Sequence, residues 1–136
     1  MKDILTPPKT IAVVGVSDKP DRPSYMVTKY LLEQGFIILP VNPMIPSVFG
    51  IPSYASISAI PQSIHIDIVD IFRKSTEVPG IIEELIAAKR TPLIWMQEGV
   101  ISEEGKTLAE KNGMEVIMNV CMMKQHNKNT PFSLRK

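Results

Sequence analysis

The loop after the first apolar segment carries residue types that can hold a phosphate group. After the apolar run, the chain continues with Gly15, Ser17, Arg22 and Ser24. Glycine lets a ligand approach the backbone closely, serine hydroxyls donate hydrogen bonds, and arginine makes charge-assisted contacts to phosphate oxygens. The dinucleotide pattern G-x-G-x-x-G is incomplete here, so Gly15-Val16-Ser17 is a weak motif by itself.

Two of these side chains also have a purely structural interpretation. Ser24 could simply cap a helix that begins there, and Arg22 could be a solvated loop charge. A helix beginning at Ser24 would add free backbone N–H groups and the positive end of its dipole to the same place. The loop therefore predicts a phosphate site but leaves the contacts of Arg22 open.

Residues that could contact a ligand, most of them polar or charged, also follow the four later apolar segments. These residues are Asn42 and Pro43, then Phe72 and Arg73, then Gln97, Glu98 and Gly99, and finally Asn119 and Cys121. In an open parallel sheet, ligands bind at the carboxyl ends of the strands, so these residues would meet Gly15 at one edge. Such loops on five strands favour a ligand site over an unused sheet edge. Arg73 is then either a cation of that site or a surface charge.

The end of the second apolar segment argues against NAD as the ligand. An NAD-binding unit typically has Asp or Glu at this point to bind the ribose hydroxyls. This chain has Asn42-Pro43 instead. An adenine nucleotide with a phosphate on its ribose would prefer a site without a carboxylate here.

Patterns for catalysis are scarce in this sequence. It has no G-x-S-x-G elbow, no G-x-x-x-x-G-K-[ST] loop and no Cys/His cluster with metal-ligand spacing. His65 precedes the third apolar segment, far from the proposed edge, and His126 lies in the basic C-terminal segment. Glu98 could act as a base if buried, or it could form a plain turn with Gly99. Cys121 is the one potential nucleophile, and an unreactive, half-buried thiol is the favoured interpretation.

The segments between these loops predict the elements that position them. Five short apolar runs are typical of strands buried on both faces. They span residues 10–15, 36–41, 66–72, 92–97 and 114–118. Stretches of helical character begin at Ser24, at Ser75 or Thr76, and at Ser102. This alternation predicts an α/β fold, a Rossmann-like three-layer α/β/α sandwich with a mainly parallel five-stranded sheet.

Prolines and one tryptophan add constraints on this fold. Pro40 allows the second strand only an edge position, or requires the strand to end there. Residues 43–63 contain four prolines and predict a loop, with one helical turn near residues 56–60. Trp95 lies inside the fourth predicted strand, where core packing is the favoured role.

Length, charge and cysteine content limit the class of protein. The chain has 136 residues and a formal net charge of +1, which favours one folded domain and argues against a dedicated polyanion binder. A single cysteine permits no intrachain disulfide. The N-terminus does not resemble a signal peptide, and no stretch approaches the ~20 apolar residues that span a bilayer. We therefore expect a cytoplasmic location.

Taken together in order and spacing, five stretches resemble one known family. They are IAVVGVSDKPDRPSYMVTKYLLEQGF, ILPVNP, VDIFRKS, WMQEGV and GMEVIMNVCM. The chain resembles the small stand-alone CoA-binding proteins, whose fold is similar to the N-terminal CoA-binding domain of the succinyl-CoA synthetase α subunit. The likeness covers roughly residues 10–123. It implies an N-terminal extension over 1–9, a CoA-binding domain over 10–123 and a basic tail over 124–136.

The resemblance also implies a role for each residue at the strand ends. Coenzyme A would be the ligand, with its diphosphate on Gly15, Val16 and Ser17 and further phosphate contacts from Arg22 and Ser24. Asn42 and Pro43 would border the adenosine, while Phe72 and Arg73 would line the cofactor groove. Gln97, Glu98 and Gly99 would border the pantetheine, and Asn119 belongs to the same predicted site.

Two departures from these relatives qualify the expected activity. The synthetase α subunit has a second domain with a phosphorylated histidine, and this sequence shows no such domain, so ligase activity is not implied. The last motif in the family often has Arg before its cysteine, whereas this chain has Val120. We expect a module that binds CoA or an acyl-CoA without catalysis of its own, with no nucleic-acid or membrane partner. The alternatives are a component of a CoA ligase or transferase completed by a partner subunit, and an NAD(P)-binding regulator.

Overall fold

The apolar segments form one parallel sheet and a small separate hairpin. The computed structural model describes residues 5–7 and 9–129. Its strands in chain order are β1 (Thr10–Val14), β2 (Ile37–Val41), β3 (Ser47–Val48), β4 (Ile51–Pro52), β5 (Ile68–Ile71), β6 (Leu93–Met96) and β7 (Val116–Met118). The five-stranded sheet has the order β2-β1-β5-β6-β7, and all its neighbouring strands are parallel. The predicted α/β fold is therefore confirmed.

Helices cover both faces of this sheet, as parallel strands require. They are α1 (Pro23–Glu33), α2 (Val78–Ala87), α3 (Glu103–Lys111) and α4 (Met122–Asn129). Alternate residues of β1 serve opposite faces. Ile11 and Val13 belong to the core formed with α1 and α4, whereas Ala12 and Val14 belong to the core formed with α2 and α3. Trp95 is fully buried on the α1 and α4 side, as predicted.

The connection from β1 to β2 and the connection from β2 to β5 run in opposite directions along the sheet. The chain passes through α1 to β2 on one side of β1, and β5 pairs with β1 on the other. The carboxyl ends of β1 and β5 therefore form a topological switch point, where helices on the two faces leave a crevice.

The second strand, β2, lies at the edge of the sheet, and its proline agrees with that position. Pro40 lies in β2, which is an edge strand, as its missing N–H requires. Tyr54 covers part of the outer edge, because its N–H donates to the Pro40 carbonyl and its own carbonyl accepts from Asn42 N–H, both at 2.9 Å. The predicted helical turn is present as a 3₁₀ turn over Ile57–Ala59.

Two elements differ from the sequence expectations. The hairpin of β3 and β4 lies in the segment predicted as loop; each strand is only two residues long, and Phe49 and Gly50 turn with positive φ. Helix α4 crosses the boundary drawn after residue 123 and turns part of the supposed tail into packed structure. Its His126 is 7% exposed and contacts the rings of Tyr30 and Phe36. The remaining tail, residues 130–136, lies outside the described residues.

Within the described residues, no helix is long and apolar enough to cross a membrane.

Candidate functional site

Two cavities open at the carboxyl edge of the sheet, one on each face, and they share Gly15. The α2-side cavity measures about 410 Å³. Its lining is Val14, Gly15, Val41, Pro43, Ala55, Ser56, Ile57, Arg73, Thr76, Glu77, Gly80, Ile81 and Glu84. The α1-side cavity measures about 370 Å³. Its lining is Gly15, Ser17, Arg22, Pro23, Ser24, Val27, Phe72, Gln97, Glu98, Val100 and Cys121.

Gly15 is glycine for two independent reasons. Its φ is +88°, in the region that other residues rarely adopt. A Cβ built at this position would also lie 2.7 Å from Cδ of Arg73 and 3.1 Å from the carbonyl oxygen of Phe72. The loop from β5 therefore packs directly against the end of β1, and a side chain at Gly15 would displace Arg73 at the point that both cavities share.

The first loop is held by Ser24, although not by helix capping. The residue that caps α1 is Arg22, without a side-chain hydrogen bond, and Pro23 occupies the first helical position. The Ser24 hydroxyl instead accepts from the backbone N–H of Ser17 at 2.9 Å. The interpretation of Ser24 as a simple helix cap was thus wrong: a buried hydroxyl at the cavity wall shapes the loop and can still donate one hydrogen bond.

Asn42 fastens the same loop from the end of β2. Its Nδ2 donates to the carbonyl oxygen of Val16 at 2.8 Å, and its Oδ1 accepts from the Met44 N–H at 2.8 Å. The side chain of Val16 is fully buried, so only its backbone takes part in the edge. Asn42 is consequently a residue that shapes the site, while the neighbouring Pro43 lines the α2-side cavity.

Arg73 lies across the end of β1 and is paired with a carboxylate. Its Nε and Nη2 donate to Oε1 of Glu77 at 3.0 and 2.7 Å. The hydrogen bond from Arg73 lowers the pKa of Glu77, which keeps this carboxylate ionised. Arg73 is both a cation of the cavity wall and a member of a surface ion pair, so the two interpretations of this residue are not exclusive.

Gln97 connects the α1-side cavity to a buried acid beneath it. Its Nε2 donates to Oδ1 of Asp70 at 2.7 Å, and its Oε1 accepts from the Met122 N–H at 3.4 Å, at the start of α4. Asp70 is fully buried, and its Oδ2 has no hydrogen-bond partner among the described residues. Burial raises the pKa of Asp70 to about 8, while the hydrogen bond from Gln97 lowers it. Asp70 is therefore mostly a neutral acid at pH 7.

The turn after β6 is held from the turn after β7. Asn119, with φ of +63°, accepts from the Gly99 N–H through Oδ1 at 2.8 Å. Glu98 is exposed and forms an ion pair with Lys124 of α4 at 3.2 Å. Because both side chains are solvated, this ion pair contributes little to stability. Lys124 thus neutralises the Glu98 side of the opening.

The structure brings twelve of the thirteen predicted site residues to this edge as cavity lining or as direct supports of it. Val16 is the exception, because its side chain is buried in the core and only its backbone lies at this edge. Cys121, 8% exposed, lines the α1-side cavity, whereas His65 and His126 line neither cavity. No cluster of three potential metal ligands occurs among residues 5–7 and 9–129.

Sequence reasoning missed much of the α2-side cavity. Its unpredicted polar lining is Ser56, Thr76, Glu77 and Glu84. One signal was available, because Glu77 follows Arg73 at the i, i+4 spacing that favours ion pairs. Of the others, Ser56 comes from a long loop, Thr76 from the 3₁₀ turn over Ser75–Glu77 that precedes α2, and Glu84 from the middle of α2.

Comparison with known proteins agrees with this architecture. The chain is 40% identical over 126 residues to the uncharacterized protein YneT of Bacillus subtilis (strain 168), covering 93% of this chain and 91% of YneT. A hypothetical protein from Pyrococcus horikoshii OT3 matches with a TM-score of 0.85 and 36% identity, over 93% of this chain and 87% of that one.

A third relative is part of a larger enzyme. The α subunit of acetate–CoA ligase (ADP-forming) II from Pyrococcus furiosus is 32% identical over 130 residues, which is 90% of this chain. The match spans only 28% of that subunit's length.

The fold is that of a Rossmann-like domain, with two cavities at the switch point of its sheet. Residues 9–127 match the family model described as the CoA binding domain, and the chain belongs to that family.

Proposed function

We propose that this protein binds coenzyme A or an acyl-CoA along the carboxyl edge of its sheet, without catalysis of its own. The observation that carries this proposal is the pair of cavities, of about 410 and 370 Å³, that meet at Gly15. An elongated ligand with an adenosine at one end and a flexible thiol arm at the other suits two neighbouring cavities that share a glycine in their lining.

The diphosphate of the ligand would lie at Gly15, the residue that lines both cavities. Gly15 lets the backbone approach closely there, and the positive end of the α1 dipole lies beside it, although Pro23 has no N–H and the Tyr25 N–H already donates to the Arg22 carbonyl. Arg22 lines the α1-side cavity and has no carboxylate partner among the described residues, so its guanidinium is available to a phosphate. Ser17 and Ser24 complete this wall.

The two ends of the ligand then separate onto the two faces of the sheet. The adenosine occupies the α2-side cavity, next to Pro43 and Arg73. The pantetheine arm runs through the α1-side cavity past Phe72 and Gln97 towards Cys121. Val16 and Asn42 shape the first loop, and Glu98, Gly99 and Asn119 shape the outer turn.

The absence of catalysis is proposed from the lining of the cavities. Neither cavity is lined by a histidine of the described residues, and the Glu98 carboxylate is exposed and paired with Lys124. Asp70 is not part of either lining and is mostly neutral at pH 7. Cys121 therefore has no general base within the described site to activate it.

Calorimetric titration with CoA, acetyl-CoA and NAD tests this proposal. We expect micromolar binding of CoA and acetyl-CoA, and NAD at least tenfold weaker, because NAD lacks the arm that fills the α1-side cavity. No heat from CoA below millimolar concentration would refute CoA binding. Hydrolysis of acetyl-CoA by the purified protein would refute the absence of catalysis.

A second candidate function rests on the likeness to the acetate–CoA ligase α subunit. In this alternative, the domain supplies the CoA site of a ligase completed by another polypeptide. Purification of the tagged protein from its source cells, followed by an assay for ATP- and acid-dependent thioester formation, distinguishes the two. Activity that appears only with a co-purified subunit favours the ligase component, and its absence favours the binding module.

A further inference from the structure

The α2-side cavity carries more negative than positive charge. Two carboxylates line it, those of Glu77 and Glu84, and Arg73 is the one cation in its lining. The Arg73 guanidinium already donates two hydrogen bonds to Glu77. A ligand entering this cavity therefore meets a neutralised ion pair and one additional carboxylate.

The Glu84 carboxylate is held in place at the wall. Its Oε1 accepts from the backbone N–H of Ser58 at 3.2 Å and from the Ser58 hydroxyl at 2.9 Å. Both donors are neutral, so these bonds orient the carboxylate and leave its charge in place. Glu84 lies in α2 and Ser58 in the 3₁₀ turn over Ile57–Ala59, so their hydrogen bonds connect these two elements and hold Glu84 in the cavity wall.

This arrangement fits the hydroxyls of a ribose better than a phosphate on it. Ribose hydroxyls donate hydrogen bonds and carboxylate oxygens accept them. A phosphate at the 3′ position would instead bring about two further negative charges towards Glu77 and Glu84. The sequence shows no carboxylate at the end of β2, but the fold delivers two from α2 and the turn before it.

We infer that the α2-side cavity selects an adenosine 5′-diphosphate ester with free ribose hydroxyls, so that 3′-dephospho-CoA is preferred to CoA. This inference rests on the proposed function, because it assigns the adenosine end of that ligand. Glu84 and Glu77 are the residues that set the preference, Glu84 through its charge and Glu77 also by occupying Arg73.

Titration of the full chain with CoA and with 3′-dephospho-CoA tests the inference. We expect 3′-dephospho-CoA to bind about threefold more tightly at low salt, as befits partly exposed charges, and the ratio to shrink at 0.5 M salt. A ratio of one or below overturns the inference and leaves the proposed function standing. No binding of either compound overturns the proposed function and the inference together.

Charge-neutral variants identify the residues responsible. Glu84→Gln and Glu77→Gln should each move the ratio towards CoA, and Glu77→Gln should do so more strongly because a neutral amide also leaves the charge of Arg73 uncompensated. Glu83→Gln is the matched control, since Glu83 is exposed on the same helix and lines neither cavity. A preference that persists in both cavity variants, or that Glu83→Gln alters equally, overturns the assignment to this wall.

Discussion

The two cavities differ most in the state of their arginines. Arg22, at the start of α1, has no carboxylate partner among the residues that the structure describes, whereas Arg73 is bound twice by Glu77. Both residues are exposed and both line the site. Charge available to a phosphate is therefore concentrated on the α1 side, and the α2 side offers acceptors.

This difference shows that two arginines at the same edge of the sheet can have very different electrostatic surroundings. An arginine at a helix N-terminus is repelled by the helix dipole and gains from an anion placed beside it. An arginine four residues before a glutamate is satisfied within its own segment. The position of a cation along the chain is therefore less informative than the groups that the fold places around it.

The largest effect is expected from adding a side chain at Gly15, the residue that lines both cavities. Gly15→Val places a side chain within 2.7 Å of Arg73 Cδ at a φ of +88°. We expect CoA binding to be lost, and stability to fall by about 1–3 kcal/mol from backbone strain. Calorimetric titration and urea unfolding measure the two effects.

Gly113→Ala is the control for this variant. Gly113 also has a positive φ, of +83°, but a Cβ there meets nothing within 4 Å. It should lose stability by a comparable strain and retain CoA binding. Equal affinity for CoA in wild type and Gly15→Val would show that the two cavities do not form one site.

A buried acid lies beneath the α1-side cavity, and its titration should dominate the pH dependence of stability. The unfolded chain releases the Asp70 proton near the ordinary value of 3.8, and the folded protein near pH 8. The folded state thus holds more protons between these values, so stability falls as pH rises, by at most about 1.4 kcal/mol per pH unit. Above pH 8 the loss is complete.

Asp70→Asn should remove this slope and stabilise the protein at pH 8 by a few kcal/mol, on the order of the avoided desolvation. Asn retains an oxygen that can accept from Gln97. Urea unfolding between pH 5 and 8.5, followed by the fluorescence of Trp95, measures the effect, and Asp21→Asn is the exposed control. The same slope in Asp70→Asn and wild type would refute the buried-acid assignment.

The guanidinium of Arg22 should contribute to the affinity for phosphate-containing ligands. Arg22→Ala removes a charge-assisted contact, and we expect about tenfold weaker binding of CoA, or about 1.4 kcal/mol. Lys19→Ala removes an exposed cation from the same loop that lines neither cavity. If both variants weaken CoA equally, Arg22 acts through general charge and makes no direct phosphate contact.

The smallest expected effect is a covalent CoA adduct on the thiol of Cys121, which lines the α1-side cavity. Cys121 lies where the pantetheine sulfur would end, so diamide should oxidise the two thiols to a mixed disulfide and take up their two electrons and two protons. Intact-mass measurement should show the CoA adduct in wild type and none in Cys121→Ser. An equal yield with glutathione, which lacks the nucleotide, would contradict docking through the cavity.

Much of the α1-side cavity could be predicted from the sequence because its residues directly follow strands. Gly15 and Gln97 end two apolar runs, Asn119 follows a third and supports the turn beside the cavity, and parallel strands bring their carboxyl ends to one edge. The α2-side cavity could not be predicted in the same way. Ser56 comes from a proline-containing loop, and Glu84 lies in the middle of a helix, where local sequence marks a solvated face.

Helix α4 illustrates the same limit at the level of elements. Its sequence is polar, with basic residues in its last turn, and local pattern alone indicates a tail. In the structure, Met122 is fully buried and His126 packs between Tyr30 and Phe36. Burial against α1 stabilises a helix that has little apolar surface of its own.

The sequence by itself determined the parallel sheet, its edge strand and the residues at the strand ends, because these follow from short-range apolar runs and backbone chemistry. Only the tertiary structure decided which of these residues hold the loops and which face the cavities. It also decided that Arg73 is neutralised, that Asp70 keeps its proton, and that two glutamates reach the α2-side wall. Those properties depend on desolvation and on distances between segments far apart in the chain, which no local pattern contains.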